Sequence, residues 1–472
     1  MRPLLLLLSL LIAVGSASAQ RAPKKKPPAR PAAQAVVAPS SAPASSPERC
    51  GADEESPAAL AAGSPGGPWV AWAQTDPRSY LLQVADTAVQ RSRGVNVAQL
   101  LEAAARDDLR DAQAASLPQM QLNLTGAQVG SELNGLKLSN GLEARASLQA
   151  GGPLWDWGRQ KQLVEWRRQL GEAAAMGRAS VAEQVALQAV SLSLDRSRYT
   201  LQAQVYGQYV KRMACLVEAL QTITRLDPGR ASELVQAQKS QQQADLALAS
   251  TKDLLKSNET RLRRLLGDPL PPPASLSAVL VQLPDLALLQ KDLLSAPDVT
   301  AASAQALAAQ RLAEATAAGQ KPQVSWLGGV NASRGNGHRA DFIGGVQVSV
   351  PLWRATDEPQ LSAARRRAEA ASVQRDETLE AKSWRLTEIH DAAGNSLDRA
   401  RRIAEMLRSS QQVRSATLQQ WQQLGRRSLF DVMGAEADYY GLRVAQINAL
   451  YDAQQAVAVM GSMGRGVTAL LR

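Results

Sequence analysis

Two stretches early in the chain alternate strictly between apolar and polar residues. Met120, Leu122 and Leu124 alternate with polar side chains in the first stretch, and residues 142–150 continue the alternation in the second. A period of two predicts β-strands with one apolar and one wet face. Asn134-Gly135 lies between the two stretches and favours a hairpin turn. Each strand has about ten residues, the length that crosses a membrane when tilted.

The same pattern occurs a second time. Lys321-Pro322-Gln323 repeats Leu117-Pro118-Gln119, and Val350-Pro351-Leu352-Trp353 repeats Gly152-Pro153-Leu154-Trp155. A single hairpin of this kind is more typical of a small sheet packed on a soluble core, because the signal of one barrel strand is weak. The duplication favours a membrane barrel. Tryptophans at the strand ends would then form an interfacial belt, namely Trp155, Trp157 and Trp353.

Long helices are predicted between and after the strand pairs. Leu248, Leu255 and Leu262 are spaced by seven, the coiled-coil period. Asp227-Pro228-Gly229 interrupts the first helical region, and residues 424–427 interrupt the second. Each half therefore reads helix, strand, strand, long helix, long helix. The predicted fold class is mainly α with a transmembrane β-barrel, built from two tandem repeats with four strands per chain.

The predicted organisation follows from these patterns. Residues 1–19 read as a signal peptide, with an apolar run before a small-residue cleavage site. A Pro- and Ala-rich stretch cannot bury enough surface to order itself and is predicted to be a disordered linker. The remaining boundaries are a short helical segment at 69–93, repeat 1 at 94–267, a connector at 268–297 and repeat 2 at 298–472, with the linker at 20–68. Strands are expected at about 119–130, 141–150, 322–333 and 341–350, and long helical hairpins at 159–266 and 359–463.

Composition narrows the classes of protein. Aromatic residues make up only 4% of the chain, which is poor material for a large globular core. The net charge of +10 could indicate nucleic acid, but an exported chain with Arg-rich helix faces accounts for it better, and no nucleic-acid partner is expected. Cys50 and Cys215 are the only cysteines, so no disulfide framework and no metal site is expected.

Catalytic chemistry finds no support. His338 lies in a Gly-rich hairpin loop and His390 on a helix, each without a partner at ligand or triad spacing. We predict no catalytic residue, no cofactor and no metal, and no enzymatic activity.

Four strands cannot close a barrel in lipid, because open edges leave backbone groups unpaired in hydrocarbon. Several chains must share one barrel: two chains would give eight strands and three would give twelve. The polar faces of the strands would line a wet lumen. These residues are Gln119, Gln121, Asn123, Glu143, Arg145, Gln149, Gln323, Ser325, Gln347 and Ser349.

With these motifs in order, the sequence resembles the TolC family of outer-membrane channel proteins from about residue 96 to 464. The anchors are the strand motifs above, the run from Gly152 to Gly158, Pro297-Asp298-Val299 and the stretch from Gly425 to Asn448. The resemblance implies a homotrimer with one twelve-stranded barrel and a periplasmic α-helical tunnel. It also implies a place in the bacterial outer membrane, a periplasmic adaptor and an inner-membrane pump of the RND or ABC type, for efflux or type I secretion.

The resemblance further implies a constriction at the far turns of the long hairpins. In this resemblance, two copies of Leu-Asp-Arg match those turns, and a charged ring there would gate the tunnel or contact the adaptor. The predicted gate residues are Asp195, Arg196, Arg198, Asp398, Arg399 and Arg401. The alternative interpretation of the whole chain is a soluble periplasmic coiled-coil scaffold, in which helices cover one face of each strand pair.

Overall fold

The computed structural model describes residues 76–133, 136–335, 338–424 and 428–472. All of them belong to one compact unit. The predicted signal peptide and the predicted linker lie outside the described residues, as do the tips of both strand hairpins. Among the described residues, no helix combines the length and apolarity needed to span a bilayer.

The chain forms two tandem repeats of one pattern, as predicted. A short helix, α1 (Pro77–Arg91), comes first. The first repeat consists of α2 (Arg93–Ala114), β1 (Gln119–Leu133), β2 (Leu136–Trp155), α3 (Arg159–Leu226) and α4 (Ala231–Leu266). After α5 (Leu286–Leu293), the second repeat consists of α6 (Pro297–Gly319), β3 (Gln323–Arg334), β4 (His338–Ser349), α7 (Asp357–Gln419) and α8 (Leu429–Met463). A last short helix, α9, spans Val467–Leu471.

One antiparallel sheet contains the four strands in the order β1-β2-β3-β4. The two hairpins are joined through β2 and β3, where Leu148 pairs with Val330. β1 and β2 extend beyond the predicted limits, since their pairing continues to Leu133 and Leu136. Among the residues that the structure describes, β1 and β4 each have one edge without a strand partner.

The long helices begin and end where local chemistry dictates. Asp156 accepts the backbone N–H groups of Gly158 (3.0 Å) and Gln160 (2.6 Å) at the start of α3. α3 then runs unbroken for 68 residues, roughly 100 Å at 1.5 Å per residue. It ends at Asp227, whose side chain accepts the N–H of Gly229 at 3.1 Å, and Pro228 cannot continue a helix.

The helices lie side by side in a row, and the helices that neighbour one another change halfway along the long helices. Near the sheet, α2 packs on α3, α3 on α6, and α6 on α7. Beyond the middle, α4 packs on α3, α3 on α8, and α8 on α7. A large apolar cluster marks the change, and it includes Leu81 of α1, Leu194 of α3, Leu276 of the connector and Tyr451 of α8. Residues of the connector and of α9 fill this cluster, so the middle of the row holds the main core.

Candidate functional site

The sheet has one polar and one apolar face. We define the polar face by the ten predicted lumen residues, which the strand register places on the same side. Gln121 pairs with Gln149, and Gln323 with Ser349. Paired residues share a face, and Ser147, opposite Asn123, also pairs with Asn331 of β3. The predicted alternation therefore holds along most of the sheet. The exceptions include Leu327 and Ile343, which are apolar on the polar face, and Gln128, which is polar on the apolar face.

The apolar face is uncovered in the single chain. It consists of the alternate positions, among them Met120, Leu122, Leu124, Leu142, Leu148, Val330, Phe342, Val346 and Val348. Leu124 is 75% exposed, Leu142 81% and Phe342 88%. A contiguous apolar surface of this kind marks contact with a membrane or another protein. No helix in the described part of the chain covers it, contrary to what the scaffold interpretation requires.

The three predicted interface tryptophans lie where the strands lead into the helices. Trp155 and Trp157 contact each other edge to face, with ring centroids 5.9 Å apart. The indole N–H of Trp157 donates to the carbonyl of Pro322 at 2.7 Å, which links the first junction to the start of β3. Trp353 is 85% exposed, and its neighbour Leu352 is 92% exposed. All three can present an aromatic ring at the end of the apolar face.

The predicted position of the gate residues is wrong. Asp195, Arg196 and Arg198 lie inside α3, and Asp398, Arg399 and Arg401 lie inside α7. The hairpin turns are at Asp227 to Arg230 and around Ser428, far along each helix from the motif copies. Neither motif contains a residue that ends a helix, whereas Pro228 and Gly229 do.

The two motif copies are also not equivalent in the repeat. Arg159 and Asp357 begin the matching helices, and Asp398 lies about one and a half helical turns further from its start than Asp195 does. The copies consequently point to different sides. Asp398 and Arg401 form a solvent-exposed ion pair at 3.2 Å, which contributes little to stability.

The first copy instead joins α3 to its neighbours in the core. Arg196 donates to Glu259 of α4 at 3.0 Å and to the carbonyl of Pro271 at 2.6 Å. Arg198 donates to Asn448 and Asp452 of α8, both at 2.9 Å.

Asp195 belongs to the same contact region, where it accepts the amide of Gln455 at 2.6 Å. Burial raises the pKa of Asp195, and the Gln455 hydrogen bond partly opposes this. These groups have a structural role in holding α4, the connector and α8 against α3.

The hairpin ends contain a charged cluster that sequence reasoning missed. Glu436 of α8 is fully buried and accepts the Arg212 guanidinium of α3 at 2.9 Å. Arg414 of α7 approaches its other oxygen at 3.5 Å. We call these three residues the Glu436 cluster. It brings three helices together beside the turns, at the end of the hairpins farthest from the sheet.

Aromatic rings surround the Glu436 cluster. The Arg414 guanidinium lies 4.3 Å from the centre of the Tyr439 ring. Burial raises the pKa of Tyr209, and the negative charge of the nearby Glu436 carboxylate raises this pKa further. A signal for the cluster existed in the sequence: Glu436 continues the helical spacing of Leu429, Val432, Met433 and Tyr440, so a carboxylate lies within an apolar stripe.

Cysteine chemistry and metal binding add no further site. Cys215 of α3 is disulfide-bonded, and Cys50 lies outside the described residues. In the part of the chain that the structure describes, no three His, Cys, Asp or Glu side chains converge as metal ligands.

The fold is similar to that of solved outer-membrane channels. CusC, whose transmembrane channel formation has been followed structurally, is 19% identical with a TM-score of 0.72 over 81% of this chain and 92% of its own. The outer-membrane protein VceC of Vibrio cholerae is 16% identical with a TM-score of 0.72, over 82% of this chain and 96% of its own. The open MtrE outer-membrane channel of Neisseria gonorrhoeae is 17% identical with a TM-score of 0.68, over 82% and 89%.

No protein-family model and no curated protein sequence matches the chain. At these identities the likeness concerns the fold alone. The predicted fold, that of the TolC family, is confirmed by it.

Proposed function

We propose that the chain is a TolC-family channel subunit of the bacterial outer membrane, a passive conduit whose helices extend into the periplasm. The observation that carries the proposal is the sheet with one uncovered apolar face and one polar face. Such a sheet fits lipid on one side and water on the other. The fold shared with outer-membrane channels supports the same conclusion.

A closed barrel needs further copies of the chain, because β1 and β4 present unpaired edges. We propose a homotrimer, in which β4 of one copy pairs with β1 of the next and twelve strands close the ring. The row of helices has open sides in the same places: α2 and α7 near the sheet, and α4 and α7 beyond the middle. Each α7 then packs on α2 and α4 of the neighbouring copy.

The internal repeat indicates which residues meet near the sheet. Inside the chain, repeat 1 contacts repeat 2 through α3 and α6. In the proposed trimer, repeat 2 of one copy would contact repeat 1 of the next copy through the equivalent helices, α7 and α2. Pro118 and Pro322 mark equivalent points, so Leu100 of α2 corresponds to Ala304 of α6. Ala304 is buried, whereas Leu100 is 71% exposed and is not covered by any other described residue. The uncovered position is explained if α7 of a second copy lies on it.

Charge supports this pairing. The Glu165 carboxylate of α3 lies within electrostatic range of Arg311 of α6. The equivalent positions in the proposed contact are Ala363 of α7 and Asp107 of the neighbouring α2. Arg366 and Arg367 follow within one turn of Ala363, and both are exposed. Opposite charges thus face each other at the same height, with the signs exchanged relative to the contact inside the chain.

The contact beyond the middle follows from the same repeat. α7 begins as far after α3 as α8 begins after α4. Inside the chain, Arg443 of α8 donates to Gln208 of α3 at 2.6 Å. The equivalent pair between copies is Met406 of α7 with Asp245 of α4, next to Leu246. Met406 is 54% exposed and Leu246 71%, so an apolar contact would cover both.

Cysteine cross-linking tests the proposed neighbour. A chain with Met406→Cys and Asp245→Cys, treated with a short bismaleimide under non-reducing conditions, should yield covalent trimers on denaturing gels. The matched control combines Met406→Cys with Gln243→Cys, because Gln243 is exposed at the same height but on the other side of α4. Equal cross-linking in both variants, or none in the first, would refute the arrangement.

Insertion and conductance test the channel itself. We expect extraction to need detergent, the oligomer to be heat-modifiable, and the purified oligomer to form pores in planar bilayers. Release by osmotic shock as a monomer would instead support the soluble scaffold. We further propose that the hairpin ends dock a periplasmic adaptor and an inner-membrane pump, so that the partner supplies the energy.

A role in gating then belongs to the hairpin ends and not to the first motif copy, whose residues hold the core together. Asp398, Arg399 and Arg401 remain exposed on α7 and keep a proposed role in contact with the adaptor or the cargo.

A further inference from the structure

An arginine and a histidine interrupt the apolar face of β3 and β4 at the end farthest from the helices. Arg334 ends β3 and pairs with His338, which begins β4. Arg334 also pairs with Ala144 of β2. Between these two residues and the helices, the apolar face on β3 and β4 carries only apolar residues and glycine. These are Trp326, Gly328, Val330 and Ala332 on β3, and Ala340, Phe342, Gly344, Val346 and Val348 on β4.

The height of this pair matches the thickness of a membrane. Trp155, one of the interface tryptophans, pairs with Val324 at the helix end of the sheet. From Val324 to Arg334 the strand advances about 33 Å at 3.3 Å per residue. A tilt of roughly 40° reduces this to about 25 Å across the membrane, the usual height of the outward apolar band. Arg334 and His338 therefore lie where the lipid phosphates of the distal leaflet begin.

The arginines of the two faces differ in their partners. On the polar face, Arg145 forms an ion pair with Glu143 at 3.2 Å, and Arg339 forms an ion pair with Asp341 at 3.0 Å. Arg334, on the apolar face, is exposed and has no carboxylate partner among the described residues. A guanidinium at the edge of a lipid-facing band lies at the level of the lipid phosphates, and Arg forms strong paired hydrogen bonds with phosphate.

We propose that Arg334 and His338 form a binding site for the phosphate groups of lipids in the distal leaflet. The guanidinium donates two N–H groups to one phosphate, and the imidazole N–H adds a third donor from the neighbouring strand. Ala332, Ala340 and Ala144 surround the pair with small side chains, which leaves room for a headgroup. The site would fix the height and rotation of each subunit in the membrane.

The site rests on the proposed function, since it requires the sheet to lie in lipid. The test uses the oligomer purified in a neutral detergent and measures bound diphosphoryl lipid A by native mass spectrometry. Wild type and two variants are compared: Arg334→Gln with His338→Gln, and the control Arg339→Gln. Arg339 is next to His338 in the strand but lies on the polar face.

We expect the double variant to lose affinity for diphosphoryl lipid A on the order of tenfold, and Arg339→Gln to bind as the wild type does. Wild type should also bind the dephosphorylated lipid more weakly than the diphosphoryl form. Equal binding by wild type and the double variant, or an equal loss in Arg339→Gln, overturns the site. If the variants still need detergent and form pores, the channel stands without the site; if the chain is released in plain buffer, both proposals fail.

Discussion

Replacement of Glu436 by alanine should loosen the hairpin ends. The variant removes the buried carboxylate that Arg212 and Arg414 share, and the side chains of these arginines are only 8% and 15% exposed. At the 2.9 Å distance from Arg212 to Glu436 the Coulomb attraction is about 6 kcal/mol at an effective dielectric constant of about 20. Desolvation of the charges offsets part of this, and breaking a buried ion pair from one side costs about 3–5 kcal/mol.

The effect should be local, because α3, α7 and α8 are also held by the core in the middle of the row. Amide hydrogen exchange measured by mass spectrometry reports local opening free energies. We expect exchange in residues 205–217 of α3 and in the first turns of α8 to accelerate on the order of a hundred- to a thousandfold, since about 1.4 kcal/mol corresponds to a factor of ten. Exchange in the sheet and in α6 should not change.

A matched control separates the cluster from the general loss of a carboxylate. Glu388 pairs with Arg385 on α7, and both side chains are mostly exposed. Exposed pairs of this kind are worth less than about 1 kcal/mol, so Glu388→Ala should leave exchange at the hairpin ends unchanged. If Glu436→Ala exchanged like the wild type, or if Glu388→Ala matched its effect, the assigned role of the cluster would be refuted.

Two further predictions concern the sheet and the core. Leu148→Arg, on the apolar face, should reduce the yield of heat-modifiable oligomer, because a lipid-facing charge near the membrane midplane costs about 2–4 kcal/mol. Gln149→Arg changes the neighbouring residue on the polar face and should assemble normally. Equal yields of oligomer from the two variants would contradict the assignment of faces. Asp195→Asn should raise the melting temperature at neutral pH, because burial raises the pKa of the native carboxyl while Asn can still accept from Gln455. A raised pKa means that protonation favours the folded state, so the advantage of Asn should shrink as the pH falls through the raised pKa and vanish below the ordinary value of 3.8; an advantage that is constant with pH would contradict it.

Sequence reasoning succeeded where a local pattern has one structural solution. Strict alternation from Met120 to Leu124 can only place those side chains on one face of a strand, and the duplicated motifs fixed four strands in two pairs. Pro228 likewise fixes the end of α3 at Leu226, since proline lacks the N–H that would continue the α-helical hydrogen bonds.

The prediction of the gate position was wrong because a short sequence motif does not define which side of a helix its residues occupy. The Leu-Asp-Arg copies resemble each other in letters, but a shift of about one and a half turns places them on different sides of α3 and α7. Arg196 owes its role to Glu259 and Pro271, which come from α4 and the connector. The Glu436 cluster depends in the same way on three helices that meet only in the folded chain.

Because α3 passes without a break from the sheet to the hairpin turn, a rotation of the helix about the apolar cluster at mid-length would move its far end as a rigid rod. From Arg196 to Leu226 the helix measures about 45 Å at 1.5 Å per residue. A rotation of about 10° about this cluster would displace the far end by about 8 Å, more than the width of a water molecule. The strand pairing at the other end would stay unchanged.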